Sequence, residues 1–263
     1  MRRATLPYAL TMPAQSRRQN VQTPPVPDQQ PQQTQLAELQ PQGNQGAQAN
    51  LLSFNREREG RGGRQLKHAP FRVDESAYTR SGLRPEVLKQ ALTAYDNAYA
   101  NGDVKRSTLT VVDYSMPSDQ KRMWVIDLRT GKVLHHVLVS HGSGSGGRNS
   151  TEFSNRDSSH QTSIGVMKTG ETYSGKHGYS MRMDGLEEGF NDQVRNRAIV
   201  MHSASYVNDE RARNKSVGRS WGCLAMDKKV SADVIDTVKN GTLVVSYYPD
   251  PKWQQQSEYL KQP

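Results

Sequence analysis

The composition of the first 50 residues restricts where this 263-residue chain can build a core. That stretch contains 12 glutamines and 7 prolines, and its one aromatic residue is Tyr8. Such a segment buries too little apolar surface to offset the conformational entropy lost on ordering. The whole chain is 33% hydrophobic, with a mean hydropathy of −0.84. We therefore expect a disordered tether first and a folded domain after it.

A run of arginines and lysines between positions 56 and 72 follows the glutamine-rich segment. This basic segment favours a linker exposed to solvent. The alternative is a segment that contacts an anionic surface. We predict a tether over residues 1–72, one folded domain over 73–250 and a C-terminal tail over 251–263. The net charge of +9 favours an anionic partner such as nucleic acid, a membrane surface or an acidic polymer.

The first residues have some features of an export signal. Met1, Arg2 and Arg3 are followed by a short apolar stretch that ends near Ala14 but contains two prolines. A secretory signal has a basic start, an apolar centre and a small residue at its cleavage site. A possible export segment therefore stays an expectation. No apolar run approaches the roughly 20 residues that a membrane-spanning helix needs.

The rest of the chain predicts one mostly β domain with some α-helix. Pro85 and Gly102 bracket a stretch with apolar residues at helical spacing, which predicts one amphipathic helix. Two β-rich runs flank residues 129–132, a pattern typical of a hairpin. We predict strands at 109–114, 122–128, 133–140, 163–168, 198–202 and 242–248, a short helix at 231–238, and long loops.

The chain contains a single cysteine, Cys223, which excludes an internal disulfide. A strand-like run, residues 197–202, ends at His202. The thiolate is the reactive form of cysteine, and a nearby imidazole can take the thiol proton and later return it to a leaving amine. The pair predicts a cysteine nucleophile with a histidine acid/base. The alternative is a small buried cysteine without a chemical role.

Neighbours of this pair are candidates for the rest of the catalytic site. Gly222 permits a tight turn whose backbone N–H groups can stabilise an oxyanion. Ser220 is a candidate for shaping that oxyanion site. Ser203 is a candidate for holding the second imidazole nitrogen, through its hydroxyl or its backbone carbonyl.

These residues resemble the peptidoglycan (murein) L,D-transpeptidase catalytic-domain family. That family places a histidine at a strand end and later a Ser-x-Gly-Cys turn, here His202-Ser203 and Ser220-Trp221-Gly222-Cys223. The resemblance runs from about residue 80 to 248 and includes residues 112–115, 124–128, 139–142, 153–155, 163–165 and 171–178. Much of the wider family has an arginine two residues after the cysteine, where this chain has Ala225. Any contact made by that arginine must come from elsewhere.

The resemblance implies an α+β fold, an L,D-transpeptidase-like β-sandwich or barrel with a flanking N-terminal helix. It also implies a reaction on peptidoglycan stem peptides. Cys223 would attack the carbonyl of the third residue and release D-alanine, and the thioester would pass to an amine or to water. The implied partners are stem peptides and the anionic cell-wall polymer, and the implied location is the periplasm or cell wall. No cofactor and no metal are implied.

Six residues are candidates for substrate binding. Tyr173, Lys176 and Tyr179 are predicted to lie in a polar aromatic loop that binds peptide or sugar, and Lys176 is a candidate for a stem-peptide carboxylate. Arg219 is a candidate for lowering the thiol pKa or binding a carboxylate. The remaining candidates are His141, which either lines the groove or caps a strand, and Trp221. Ordinary surface residues are the alternative for each.

Other chemistries find less support in the sequence. The glycine-rich stretch 141–147 lacks the Gly-Lys-Ser/Thr ending of a phosphate-binding loop, so we predict a flexible loop. No histidine spacing predicts a metal site, and no recognised motif supports nucleic-acid binding. Three hypotheses remain. They are a cysteine transpeptidase, an L,D-carboxypeptidase or endopeptidase that uses the same pair, and a non-catalytic wall-binding protein.

Overall fold

A computed structural model describes residues 64–215 and 217–262 of the chain. The glutamine-rich segment and the possible export segment lie outside the described residues. No helix in the described part is long and apolar enough to cross a bilayer.

The described residues form ten strands and five α-helices. The strands are β1 (Arg64–Gln65), β2 (Arg72–Val73), β3 (Thr108–Asp113), β4 (Met123–Asp127), β5 (Lys132–Val137), β6 (Gly165–Gly175), β7 (Gly178–Gly185), β8 (Val200–Ala204), β9 (Leu224–Asp227) and β10 (Leu243–Tyr247). The helices are α1 (Glu75–Thr79), α2 (Pro85–Ala100), α3 (Asp209–Arg213), α4 (Ser231–Val238) and α5 (Pro251–Gln256).

Eight of the strands form one sheet that nearly closes into a barrel. Its order is β5-β4-β3-β10-β6-β7-β8-β9, and only the β3–β10 and β8–β9 pairs are parallel. The segment after β5 reaches the other edge strand, where the backbone N–H of Ser140 donates to the carbonyl of Ala225 at 2.9 Å. The predicted mostly β fold with a flanking helix is confirmed.

The sheet carries a hydrophobic core on each side because side chains alternate along a strand. On the outer side α2 packs Leu88 and Leu92 into the same cluster as Leu109 of β3. On the inner side Val112 of β3 joins the cluster that contains Ile235 of α4. The inner cluster also contains Met167, Met181, Met201, Leu224 and Met226. Strands β8 and β9 are therefore packed against the inner core through one of their two faces.

Two predicted elements have bounds close to those observed, and one region differs. Helix α2 begins at Pro85, and α4 has the predicted bounds. The predicted polar aromatic loop is instead the long hairpin of β6 and β7, which pairs through Gly175 and Gly178. Its outer end is solvent-exposed on both faces, and a register shift lies between Thr169 and Thr172. The outer end of this hairpin therefore lacks the alternation of apolar and polar residues by which a strand is predicted from sequence.

Both ends of the described chain pack against the domain. Leu66 and Phe71, in a segment that the sequence assigned to the tether, are buried beside α2. At the other end α5 lies in the stretch predicted as a tail and buries Trp253 fully. The Trp253 indole N–H donates to the carboxylate of Glu187 at 2.9 Å. Because most residues around Leu66, Phe71 and Trp253 are basic or polar, the sequence gives no periodic pattern that would predict their burial.

Replacing Trp253 by alanine is expected to reduce the free energy of unfolding by about 3–5 kcal/mol, the usual cost of a large cavity in a core. Urea unfolding followed by circular dichroism measures this loss. Trp253→Phe is the matched variant, because it keeps most of the apolar volume and removes only the hydrogen bond to Glu187. A loss below about 1 kcal/mol in the alanine variant would show that α5 does not stabilise the domain.

Candidate active site

The parallel pairing of β8 and β9 places His202 and Cys223 on the same face of the sheet. His202 lies opposite Ala225, and Cys223 immediately precedes β9. Extending the side-chain alternation of β9 one residue before its first residue, Leu224, puts Cys223 on the face of Ala225 and His202. Two residues on adjacent strands that are offset by two positions, as His202 and Cys223 are, have Cα atoms about 7–8 Å apart. The buried Met201 and Leu224 project to the opposite face, into the inner core.

The imidazole of His202 is buried and held in one orientation. Its side chain is buried, and its Nδ1 lies 2.8 Å from the carbonyl oxygen of Ser203. A proton on Nδ1 donates to that carbonyl and leaves the Nε2 lone pair available. The sequence placed His202 at a strand end, but β8 continues to Ala204. That continuation supplies the carbonyl, while the Ser203 hydroxyl donates to the carbonyl of His177 at 3.1 Å.

The surroundings of His202 lower its pKa. Burial is the largest cause, and the neighbouring His177 and Lys176 act in the same direction. The hydrogen bond to Ser203 opposes them. The His177 ring stacks on His202, with the ring centroids 4.4 Å apart. The imidazole is therefore uncharged at neutral pH and able to accept a proton.

The thiol of Cys223 is partly buried and rests in its protonated form. Its Sγ lies 3.6 Å from the carbonyl oxygen of Ala198 and can donate to it. Burial raises the pKa of the Cys223 thiol, although hydrogen bonding to the Val200 backbone and the charges of Arg197 and Lys176 oppose the shift. A neutral thiol beside a neutral imidazole differs from a preformed thiolate–imidazolium pair.

Alkylation of Cys223 by iodoacetamide is expected to accelerate steadily with pH, without a plateau below about pH 8.5, the ordinary cysteine pKa. The direction follows from the raised thiol pKa, which leaves less thiolate at neutral pH than free cysteine has. Because Cys223 is the only cysteine, mass spectrometry of the intact protein reports this site alone. A plateau near neutral pH would indicate a resting ion pair with His202 instead.

The turn that presents Cys223 requires glycine at position 222. Gly222 has φ +118°, and a Cβ there would lie 2.8 Å from the carbonyl oxygen of Gln161. The Ser220 hydroxyl accepts from the Gly222 N–H at 3.1 Å and donates to the Cys223 carbonyl at 2.7 Å. Ser220 therefore stabilises the turn. The Gly222 N–H is engaged inside it, which leaves the Cys223 N–H as the candidate oxyanion donor.

His141 lies beneath this turn, away from open surface. Its side chain is fully buried, and Nη2 of the buried Arg122 lies 2.8 Å from its Nδ1. Burial and the Arg122 charge lower the pKa of His141 to about 4. The His141 carbonyl accepts from the Ser220 N–H at 2.9 Å, which fixes the start of the turn that carries Cys223. The expectation that His141 lines the groove does not match this position.

The rim beside the thiol is formed by an aromatic and a cationic side chain. Trp221 is 69% exposed and stacks on His160, with ring centroids 4.7 Å apart. The Nζ of Lys176 lies 6.0 Å from the Trp221 ring centroid. Arg219 instead donates to the carbonyl of Gly146 at 2.8 Å. The cations that oppose the rise in the pKa of the Cys223 thiol are therefore Arg197 and Lys176, whereas Arg219 binds the glycine-rich loop.

A groove of about 440 Å³ lies beyond His202. It is lined by Lys176, His177, Gly178, Tyr179, Ser203, Ala204, Ser205, Tyr206, Lys228 and Ser231. The Tyr179 hydroxyl at its edge donates to Asp236 at 2.7 Å. Tyr173 does not line this groove and contacts Arg182, whose guanidinium carbon lies 4.9 Å from the ring centroid.

Sequence reasoning missed several residues of this site. His177 lies within a stretch that resembles the family, but its stacking on His202 depends on the pairing of β7 with β8. Arg197 precedes strand β8, which contains His202. It donates hydrogen bonds to the carbonyls of Ser154 and Gln161, and both partners lie far from Arg197 in the sequence. Nothing in the sequence distinguishes Lys228 from other surface lysines.

A cysteine and a histidine on one face of a β-rich fold form an arrangement typical of enzymes that use a cysteine nucleophile. Residues 79–247 match the family model described as L,D-transpeptidase catalytic domain. The chain belongs to the L,D-transpeptidase catalytic-domain family. The recognised resemblance is thereby confirmed over most of the predicted range.

Solved structures give similar but distant matches. An L,D-transpeptidase from Mycobacterium smegmatis is 15% identical with a TM-score of 0.33, covering 54% of this chain and 59% of that one. L,D-transpeptidase 1 from Mycobacterium tuberculosis is 16% identical with a TM-score of 0.30, covering 53% and 60%. An L,D-transpeptidase from Stackebrandtia nassauensis is 14% identical with a TM-score of 0.34, covering 67% and 77%.

The chain spans about three fifths of the length of the two mycobacterial proteins. No curated protein sequence matches the chain.

Proposed function

We propose that this protein is a cysteine-dependent L,D-transpeptidase that acts on peptidoglycan stem peptides, releases D-alanine and forms 3→3 cross-links. The observation that carries the proposal is the pairing of β8 with β9, in which His202 lies opposite Ala225, two residues after Cys223; the Ser203 carbonyl 2.8 Å from His202 Nδ1 supports the role of base. The family membership of residues 79–247 supports the same chemistry.

The first half-reaction forms a thioester. His202 Nε2 takes the thiol proton as Cys223 Sγ attacks the carbonyl carbon of the third stem residue. The N–H of Cys223 donates to the oxyanion of the tetrahedral intermediate. The intermediate collapses with cleavage of the C–N bond, and His202 returns the proton to the nitrogen of the departing D-alanine. The products of this half-reaction are the thioester on Cys223 and free D-alanine, whose nitrogen carries the proton that left the thiol.

The second half-reaction transfers the acyl group. The amine of an acceptor stem peptide attacks the thioester carbonyl and forms the new C–N bond, while His202 Nε2 takes the proton from that amine. The C–S bond breaks and the thiolate recovers the proton from His202. Water in place of the amine gives a tripeptide, which is the L,D-carboxypeptidase outcome of the same first step.

The products from tetrapeptide muropeptides test this proposal. Mass spectrometry should find cross-linked dimers and free D-alanine after incubation with purified protein. Tripeptides alone would assign the chain to hydrolysis instead. Unchanged muropeptides together with retained binding to sacculi would favour the non-catalytic wall-binding hypothesis and contradict any acyl transfer.

The substrate also supports a proposal on location and domain organisation. Peptidoglycan lies outside the cytoplasmic membrane, so we propose that the protein is exported to the periplasm or cell wall. The glutamine- and proline-rich start would act as the tether of the catalytic domain, and its basic residues suit an anionic polymer. Fractionation of cells that express the full chain checks this, and a cytoplasmic pool alone would contradict it.

A further inference from the structure

The side chain of Arg122 places a positive charge inside the protein that the proposed mechanism does not use. This residue lies directly before β4 and is fully buried. Its nitrogens donate to the carbonyl of Val139 at 3.1 and 3.2 Å and to that of Met116 at 2.7 Å, and Nη2 lies 2.8 Å from Nδ1 of His141. None of its hydrogen-bond partners among the described residues is a carboxylate. The guanidinium is therefore held by neutral acceptors.

The acids whose charges favour the ionised form of Arg122 are paired with other arginines. Asp113 lies 2.8 Å from Arg84, and Asp119 lies 3.0 Å from Arg148. Burial lowers the pKa of Arg122 to about 10, so the group is still charged at neutral pH. Burying a charge without a counter-charge costs free energy that an apolar side chain would not cost. Stability alone therefore does not account for an arginine at this position.

The contact with Arg122 fixes the protonation state of the buried His141. A guanidinium has only donors, so Nδ1 of His141 must accept, and the ring proton lies on Nε2. Burial and the Arg122 charge lower the pKa of His141 to about 4, which keeps the ring uncharged at neutral pH. His141 is consequently a neutral ring with one tautomer and one orientation.

The segment that contains this ring, residues 139–143, holds the start of the turn that carries Cys223. The Ser220 N–H donates to the His141 carbonyl at 2.9 Å, and the Ser143 N–H donates to the Ser220 carbonyl at 2.8 Å. These two bonds fix the residue whose hydroxyl spans the turn. The start of the turn therefore depends on the position of residues 139–143.

The same segment also holds the chain after the cysteine. The Ser140 N–H donates to the carbonyl of Ala225, the second residue of β9, at 2.9 Å. Arg122 contacts the residue on either side of Ser140. A displacement of this segment would move both ends of the turn, and with them the Cys223 N–H that donates to the oxyanion under the proposed function.

We propose that Arg122 is a positioning residue for the acylation of Cys223 and that it acts through Nδ1 of His141. The inference rests on the proposed function and adds to it two residues that are fully buried and do not reach the substrate. Their hydrogen bond sets where the Cys223 N–H lies when the tetrahedral intermediate forms. Its loss misaligns the oxyanion donor and leaves the thiol accessible.

Two variants of nearly equal side-chain volume test this role. His141→Asn places an amide oxygen near the position of Nδ1 and can still accept from Arg122, whereas His141→Leu cannot. Mass spectrometry follows D-alanine release by the full chain from a tetrapeptide donor in a single turnover. The rate constant should fall about a hundredfold in His141→Leu, the usual cost of misplacing a reacting group, and stay within about threefold of wild type in His141→Asn.

Alkylation of Cys223 by iodoacetamide is the second measurement, because this reaction forms no oxyanion. Wild type and both variants should be alkylated at similar rates and should unfold cooperatively in urea. A merely structural role predicts that alkylation and D-alanine release fall together in His141→Leu, and that result would overturn the proposal. If His141→Leu does not fold, Arg122→Lys replaces it, since lysine keeps the charge but lacks the planar fork that binds Val139 and His141 together.

The remaining outcomes separate this role from the proposed function. Unchanged D-alanine release in His141→Leu, or in Arg122→Lys where that variant replaces it, would overturn the positioning role alone. A hundredfold loss in His141→Asn would do the same, because the acceptor for Arg122 is still present. Wild-type protein that releases no D-alanine would overturn the proposed function and, with it, this role.

Discussion

Replacing Cys223 by alanine is expected to reduce the turnover of tetrapeptide muropeptides by at least about a thousandfold, since it removes the nucleophile of the proposed mechanism. The chain has no second cysteine that could substitute for it. Alanine also occupies less space than cysteine at this partly buried position, so the fold is expected to survive. Product formation followed by mass spectrometry measures the loss.

Binding to sacculi is the internal control for the Cys223→Ala variant. The groove and the basic residues remain in place, so retained binding with lost turnover would assign the sulfur to chemistry alone. Unfolding curves of both proteins establish that the comparison concerns folded molecules. Turnover that persists in the alanine variant would rule out a thioester on Cys223 and, with it, the proposed mechanism.

Replacing Gly222 by alanine is expected to lower turnover about a hundredfold or more, because small displacements of a reacting group are costly. A side chain at φ +118° is strained, and the new Cβ would lie 2.8 Å from the Gln161 carbonyl oxygen and 2.6 Å from Cδ1 of Ile199. Strain of this kind typically costs about 1–3 kcal/mol, and relief of the clash must move the turn that presents Cys223.

Gly82→Ala is the matched control for this prediction. Gly82 has φ +91°, similar strain for an alanine, but a Cβ there would meet no atom within 4 Å. It should lose stability and keep its turnover. Turnover measurements and urea unfolding of the two variants separate the effect of backbone strain from the effect of displacing Cys223. Equal turnover in Gly222→Ala and wild type would show that the turn tolerates a shift, contrary to the geometry of Ser220 and Cys223.

Local patterns explain the parts of the fold that the sequence predicted. Helix α2 is bracketed by Pro85 and Gly102, and the β4–β5 hairpin is marked by its turn, because short-range backbone preferences decide both. Strand β9 was not predicted, since its four residues become a strand only by pairing with β8. The buried anchors Leu66 and Trp253 were missed for a similar reason, as burial of one residue depends on distant partners.

The sequence by itself determined the family and the candidate residues: a lone cysteine after glycine and a histidine in an earlier strand-like run. Only the tertiary structure decided their state. The β8–β9 pairing brings the turn that carries Cys223 alongside His202, and burial shifts the pKa of both side chains. Those properties depend on distances between residues far apart in the chain, and folding alone fixes such distances.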